Sequence, residues 1–330
     1  MMAIAFPRFA RHRFKVQWFD CWKEELDKAL YALPEMEGCP HKLYRLLLQN
    51  RVQGRKRIAL VSELGTPVAL AGLKYRARTR DWVPVTHYLL PAAVFPVREG
   101  SLIPVLEAFG LDIWISWWGF EGTPPGDRLR ELERTPTYKL ALAGNFEQFW
   151  RGANDQMKDV RRARNKCKGF RLEVNLQGST EWTLQNWHKK WHGGDSPCDS
   201  NLDDRLLVAR YLEDQGRYYT LTLLDGEIVT AGISLVSHRK EVIGLYSYRK
   251  PEYDRNWVGQ RLLDLSFHWA AESGFEKLDL GGDYADHKAR WAPEDGEKYA
   301  LRVCPSRIFI AKDIATRIRS IGQSIMGGKS

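Results

Sequence analysis

Apolar positions along this 330-residue chain recur with two different periods, and the points where the period changes mark out its elements. From Arg57 to Arg78 the run "RIALVSELGTPVALAGLKYRAR" places Val, Ala and Leu on both sides of Leu64-Gly65, which predicts strand, tight turn and strand. From Tyr218 to His238 the run "YYTLTLLDGEIVTAGISLVSH" repeats the form with Asp225-Gly226 at the turn, a strong short-range hairpin signal. Each hairpin leads, after an intervening segment, to a helical run, a glycine and a further strand. Ser101 to Gly119 turns at Gly110, and Arg261 to Gly282 turns at Gly274, where helices commonly end. Gly65 and Gly226 lie 161 residues apart, Gly110 and Gly274 lie 164 apart. Offsets that close predict a duplicated α/β unit.

Between the copies, "NFEQFWRGANDQMKDVRRARNKCKGF" (Asn145 to Phe170) has helical spacing. Phe146, Phe149, Trp150, Ala153, Met157, Val160 and Cys167 fall largely on one face. The other face carries Lys158, Arg161, Arg162, Arg164, Lys166 and Lys168, opposed by Asp159 alone. Asn145 and Gln148 have the spacing of a capping box, so one basic helix is expected over 145–168. It opens the second of two expected domains, 1–144 and 145–330.

Charge changes this picture. Lys and Arg total 50 against 41 Asp and Glu, a net charge of +9 and a pI near 9.2. That surplus favours an anionic ligand: a nucleotide-bearing cofactor, a nucleic acid or an acidic membrane surface. Five scattered cysteines with no CxxC pair argue against a disulfide framework or a thiolate metal site. Arg8, Arg11 and Arg13 interrupt any apolar leader, and no run approaches a membrane span. A cytoplasmic protein is the expectation.

The densest chemistry lies in "FEKLDLGGDYADHKARWAP" (Phe275 to Pro293). An apolar strand reaches Asp279, passes Gly281 and Gly282, and is followed by Asp283, His287, Lys288, Arg290 and Trp291. Asp279 is a candidate general base; the alternative is that it bonds nearby N–H groups and shapes the turn. His287 has a pKa suited to proton transfer, although a histidine beside a lysine is more often exposed and idle. Lys288 and Arg290 suit anionic groups. Trp291 offers a ring to stack on a sugar or base, or to pack beneath the segment. Upstream, Arg255, Asn256, Gly259, Gln260 and Arg261 stand where a helix begins, and helix N-termini bind anions. Tyr246 and Asp254, on the approach to that start, are weaker candidates. His188 and His192 have metal-ligand spacing with Asp195 and Cys198 nearby, but Lys189 replaces the glutamate of the zincin motif, and no metal is expected.

Taken in order, these elements resemble the GNAT-like acyltransferases of the CelD cellulose-biosynthesis type, relatives of the Fem aminoacyltransferases. The likeness rests on the basic stretch Lys158 to Lys168, the strand end "THYLLP" (Thr86 to Pro91), Asp279, and Lys288-x-Arg290-Trp291. It runs from about Phe14 to Cys304. The resemblance implies an α/β (α+β) fold of two tandem GNAT-like domains with mixed central sheets flanked by helices. It implies a first half that supports or binds acceptor and a catalytic second half. Acyl-CoA (acetyl-CoA) is the implied co-substrate, with Asp279, Lys288 and His287 as catalytic candidates. Arg255, Asn256, Gly259, Gln260 and Arg261 would bind the cofactor; the match to the family's pyrophosphate loop is degenerate. Tyr246, Asp283, Arg290 and Trp291 would bind a glycan, polysaccharide-precursor or small-molecule acceptor. Two readings stand beside it. One is aminoacyl-tRNA-dependent transfer, with tRNA on the basic helix 158–168. The other is a non-catalytic module that binds nucleic acid or a partner. Ile314, Ile318, Ile321 and Ile325 give 312–326 the spacing of a helix that lies on a membrane or docks on its own domain.

Overall fold

The computed structural model describes residues 13–36, 38–50, 56–76, 80–86, 89–90, 94–117, 129–153, 156–192, 202–282 and 286–303. Contacts group the chain into two units, one from 1–49, 54–133 and 299–330, the other from 50–53 and 134–298. In chain order the first unit begins with β1 (Lys15–Phe19), α1 (Glu25–Tyr31), α2 (His41–Gln49), β2 (Lys56–Glu63), β3 (Thr66–Arg76), β4 (Asp81–Pro84), α3 (Leu102–Ala108) and β5 (Ile113–Trp117). There follow β6 (Leu129–Ala141), α4 (Glu147–Gly152), α5 (Gln156–Lys166), β7 (Arg171–Val174), α6 (Ser179–His192) and α7 (Leu202–Asp214). The remainder is β8 (Tyr218–Asp225), β9 (Ile228–His238), β10 (Glu241–Arg249), α8 (Val258–Glu272), β11 (Lys277–Gly282), α9 (Asp286–Trp291) and β12 (Glu294–Val303).

The two sheets repeat one plan. The first runs β1-β2-β3-β4-β5-β12, and the second β7-β8-β9-β10-β11-β6. In each, the first four strands are antiparallel neighbours, the fourth and fifth are parallel, and the sixth is antiparallel again. The sixth strand does not come from the same place in the two copies. β6 follows the first copy in sequence but completes the second sheet, and the last residues of β12 return to pair with β5. Both hairpins form where the sequence places them. Leu64 and Gly65 both take positive φ (50° and 81°) in a two-residue turn, and Gly226 does so at 58°. Gly110 and Gly274 end their helices at φ 60° and 81°.

β3 and β9 are buried along most of their length because helices cover both faces, and their sequences read as near-continuous apolar runs. A glycine in each strand lets a helix come close. In the first unit Tyr44 of α2 reaches Gly72 of β3: its hydroxyl donates to the Leu70 carbonyl (3.1 Å) and accepts from the Gly72 N–H (2.7 Å). In the second unit a Cβ on Gly232 would meet Thr183 Oγ1 of α6 at 2.3 Å. On the opposite face of that sheet, α8 buries Val258, Leu262, Phe267 and Ala270 in a core with Leu140, Leu223, Ile233, Val242 and Leu278.

One expected element is corrected. The single helix over 145–168 is two, α4 and α5, because Ala153 is extended (ψ 92°). The Asn145–Gln148 capping box does not form: α4 starts after Phe146 with no side-chain cap, and Gln148 N–H bonds the Asn145 carbonyl instead. The residues expected to make the surface helix at 312–326 lie outside the described residues. Among the described residues no helix is long and apolar enough to cross a membrane.

Gly232→Ala should cost roughly 1–3 kcal/mol, because Thr183 is β-branched and cannot swing away. Denaturant unfolding should show Thr183→Ala restoring most of that loss in the double variant. Equal loss in single and double variants would overturn the close-approach account.

Candidate functional site

The second unit gathers its unusual groups at three places, one on a strand pair and two on helices. β10 and β11 pair in parallel only from Glu241↔Lys277 to Ile243↔Asp279. Beyond that point β10 runs on to Arg249 through a register shift between Gly244 and Tyr246, and β11 to Gly282. No further pairing joins these strands among the described residues, so the sheet parts immediately after Asp279.

Asp279 is 3% exposed and stands at that parting. Its Oδ1 accepts the Gly281 N–H at 2.7 Å, the turn-shaping bond that an aspartate makes two residues ahead. Its Oδ2 lies 3.9 Å from Lys139 Nζ on β6, and Lys139 bonds Glu241 Oε2 at 3.0 Å. Burial pushes the Asp279 carboxyl up to about 6, against the opposing pull of the Gly281 bond and Lys139. Burial also works against the charge on Lys139, but its bond to Glu241 and the nearby Asp279 leave its pKa raised. Asp279 therefore shapes the turn, and its burial holds its carboxyl above the ordinary carboxylate range.

The second place is the start of α8. Trp257 precedes the helix with φ 63°, an uncommon conformation for a bulky residue, and no side chain caps the first turn. The first-turn N–H groups face a site with no acidic residue in that turn. Arg162 of α5 lies over the Trp257 ring at 5.0 Å. Lys158, Arg161, Arg162, Asn165 and Lys166 line an open groove of about 530 Å³ along α5. Helix N-terminus and cations together make an anion-binding surface.

The third place is the clamp that holds α5 against α8. Arg164 donates to both oxygens of Asp264 (Nε to Oδ2 at 2.9 Å, Nη2 to Oδ1 at 2.6 Å) and to Glu147 Oε1 at 2.6 Å. Arg261 adds a bond to Asp264 Oδ2 at 2.5 Å, and His268 approaches the same carboxylates. Burial alone would raise the Asp264 pKa, but His268, Arg164 and Arg261 outweigh it and hold it at about 2. The His268 pKa is raised, chiefly by its bond to Asp264. Glu147, Asp264 and His268 have the spacing of a metal-ligand group, but the guanidinium of Arg164 already bonds both carboxylates.

The candidates named from sequence distribute unevenly. Gly259 and Gln260 lie in the first turn of α8 and are half-buried; a Cβ on Gly259 would touch the Arg249 side chain at 3.3 Å. Asn256 is half-buried, and its carbonyl accepts Cys167 Sγ–H at 3.1 Å. Arg255 is exposed beside that turn, whereas Arg261 points into the Asp264 clamp. Lys288 Nζ reaches the Gly281 carbonyl at 3.4 Å, at the Asp279 turn. His287 and Arg290 are exposed on α9, and Asp283 lies outside the described residues, as do Asp195 and Cys198.

Lys288, Arg290 and Trp291 stand on the short helix α9, and the expectation that Trp291 binds acceptor is corrected. Trp291 is 3% exposed: it stacks on Phe267 (5.9 Å, 5°) and meets Trp150 edge-on at 4.9 Å. Its ring is core, because an indole gains more by full burial than it would from a solvent-facing position. Sequence reasoning missed Asp264 and Arg164 as a pair. Their 100-residue separation hides the contact, although Asp264 at a buried helical position was a signal available to periodicity.

Residues 154–289 match the family model described as an acetyltransferase (GNAT) domain. That stretch is therefore similar to a GNAT acetyltransferase domain. No curated protein matches the chain in sequence. Among solved structures it is similar to L-PGS from Bacillus licheniformis, with TM-score 0.51, 12% identity, and coverage of 91% of this chain and 97% of that one. It is also similar to the C-terminal domain of a protein provisionally described as a lysylphosphatidylglycerol synthetase from Agrobacterium fabrum. There the TM-score is 0.50 with 13% identity, covering 88% of this chain and 96% of that one. A tandem GNAT protein from the clavulanic acid biosynthesis pathway matches with TM-score 0.45 and 10% identity, over 87% of this chain and 98% of that one. At these identities the likeness concerns the fold: mixed α/β, two mixed sheets flanked by helices, in the GNAT manner.

Two stability measurements check the electrostatics. The Asp264 pKa is lowered in the folded state, so its contribution is complete above about pH 4 and is lost as pH falls towards 2. Asp264→Asn should cost roughly 3 kcal/mol at pH 7 and flatten that acid limb in a pH series of denaturant melts. Asp279 has the opposite sign, because its folded pKa lies above the unfolded value of 3.8. The burial cost grows from about pH 4 to 6 and stays constant above that. Asp279→Asn should therefore stabilise the protein at pH 8, by on the order of 3 kcal/mol, and change little at pH 4. A uniform effect across pH would refute the buried-carboxylate account.

Proposed function

We propose that the second unit is the catalytic part of an acyl-CoA-dependent acyltransferase acting on an amine or hydroxyl. The observation that carries this reading is the parting of β10 and β11 at Asp279, within one domain that also has an uncapped, cation-flanked helix start. Acyl transfer needs a donor held by its phosphates, an acyl carbon exposed to the acceptor, and a group that takes the acceptor's proton. Bound coenzyme A would supply the activated thioester. The first turn of α8 and Arg162, with Lys166 alongside, would hold its phosphates. The parted strands leave unpaired backbone N–H and C=O groups where an extended thioester arm can add hydrogen bonds. Asp279, with a carboxyl near 6, is suited to take a proton, and Lys288 keeps the Gly281 turn in place beside it. The acceptor is proposed to be a small molecule or a polysaccharide precursor, and N-acylation is the preferred chemistry. His287 and Arg290, exposed on α9, are proposed on the acceptor side.

A second reading has its own observation. The groove along α5 carries four cations within about two and a half turns, more than one pyrophosphate requires, and it suits the backbone of a tRNA that delivers an aminoacyl group. Similar structures include the C-terminal domain of a protein provisionally described as a lysylphosphatidylglycerol synthetase, which fits transfer of an amino acid.

Thermal-shift and calorimetric titration with coenzyme A and acetyl-CoA separate the two. The expected result is binding that weakens roughly tenfold or more in Arg162→Ala/Lys166→Ala, since hydrogen bonds to charged groups are each worth about 1.5–3 kcal/mol. With a turnover assay in hand, kcat/KM should rise with pH through an apparent pKa near 6 and lose that limb in Asp279→Asn. Absence of any CoA binding together with salt-sensitive binding of charged tRNA would transfer the assignment to the second reading.

A further inference from the structure

A second groove opens at the far end of β10. It has a volume of about 400 Å³ and is lined by Asn186, Lys189 and Lys190 of α6, by Tyr248 and Arg249 of β10, and by Asp254 just beyond that strand. Small-molecule sites occupy roughly 300–1,000 Å³, so the groove has room for a compact ligand. Its charges are unevenly spent. Arg249 Nε donates to Asp254 Oδ1 at 2.6 Å, so the guanidinium and the acid answer each other. Lys189 and Lys190 are exposed, and neither forms an ion pair among the described residues. Tyr248 is half-buried, and its ring meets Trp182 of α6 edge-on (5.4 Å, 72°), which fixes the plane of that wall. Two unpaired ammonium groups side by side match a phosphate dianion; a carboxylate would answer one of them. The aromatic wall beside them offers a face to the ring of a sugar or base.

These lysines and those of α5 come from opposite faces of the sheet. Thr183 of α6 packs against Gly232, and Tyr248 pairs with Gly232, so both belong to one face. Ala231 and Ile233, the neighbours of Gly232 in β9, point into the core beneath α8, and α5 packs on α8. Asp279 shares the face of Tyr248. It pairs with Ile243, and Ile243 pairs with Val236, four residues of β9 from Gly232. Tyr248 and the level of Asp279 are thus separated by about 14 Å of strand.

We propose that this groove binds a phosphate ester of a sugar or nucleoside, with Lys189 and Lys190 on the phosphate and Tyr248 against the ring. The site itself stands on the groove's shape and charges. Calling its occupant the acceptor rests on the acyltransferase reading, in which the donor's phosphates lie on the α5 and α8 side. The acceptor is then an extended phosphorylated molecule that reaches along β10, its amine or hydroxyl about 14 Å from the end that the lysines hold.

Calorimetric titration of the full chain reads this directly. The probes are glucose 6-phosphate, uridine 5′-monophosphate, inorganic phosphate and sodium glucuronate, all at matched ionic strength. The expected result is binding of at least one phosphate ester, weakened roughly tenfold or more in Lys189→Gln/Lys190→Gln, which removes two charge-assisted contacts. Both lysines are exposed, so that variant keeps the fold. Tyr248→Leu separates ring from phosphate: it should weaken the ester and leave inorganic phosphate unchanged. No binding of either ester, binding unchanged in the lysine variant, or equal affinity for glucuronate would each overturn the proposal. Tighter binding of a short single-stranded RNA, lost in the lysine variant, would also overturn it and make the groove part of a nucleic-acid track. Coenzyme A titrated into the same variants reads the parent assignment independently. Its loss in Lys189→Gln/Lys190→Gln but not in Arg162→Ala/Lys166→Ala would give the groove to the donor and overturn the acceptor site. Ester binding without coenzyme A binding would remove the acyltransferase and keep the groove.

Discussion

The Asp264–Arg164 ion pair is the constraint on which the candidate site depends. α5 carries a dense run of cations, and its own charges repel one another. Left to itself, such a helix would gain little from packing a narrow apolar stripe. Asp264 is completely buried, and Arg164 meets it with two parallel bonds while Glu147 and His268 take up the remaining capacity. A carboxylate buried in that way is worth far more paired than alone. The clamp fixes the basic face of α5 beside the first turn of α8, so that Arg162 comes to lie over Trp257. Without it, the helix start would be an ordinary loop-to-helix junction.

Around that clamp the two faces of the second sheet have different tasks. The α8 face is dry and aromatic, with Trp150, Phe267 and Trp291 packed ring against ring. The opposite face, under α6 and α7, holds Thr, Ser and Tyr side chains together with Arg205, Lys139 and Asp279. Polar groups at that density inside a fold are costly unless something uses them. Their concentration where β10 and β11 separate explains why the strand pair ends early. A bulge shifts the register of β10, and Asp279 draws the β11 chain into a turn at Gly281 instead of a continued ladder.

Much of this was legible beforehand. The hairpin at Leu64-Gly65, the stops at Gly110 and Gly274, and the repeat of one α/β plan all follow from local rules: positive φ favours glycine, and strand and helix periods differ. Asp279 stood out because a carboxylate rarely follows an apolar strand without purpose. Other readings failed for equally physical reasons. Trp291 follows lysine and arginine in sequence, yet a six-residue helix turns Arg290 outward and the indole inward. Arg205 attracted no attention because "LDDRLLVARYLED" reads as an amphipathic helix on which an arginine belongs at the surface. Only the aromatic rings of Trp187 and Tyr246, brought from 18 residues before and 41 after, make a buried position tolerable.

The sequence by itself determined the elements, the duplication and the basic surplus, since these depend on residues a few positions apart or on simple totals. Tertiary structure decided which sheet each sixth strand would complete, because the charged, weakly patterned sequences of β6 and β12 assign neither to one sheet and only register and packing choose. It also decided how each charge is held. Arg164 and Arg205 have the same side chain on similar helices. The first faces carboxylates 17 and 100 residues away, and the second faces aromatic rings and forms no ion pair among the described residues. Electrostatic energy depends on distance in space and on burial, and neither quantity is written in the order of residues along a chain.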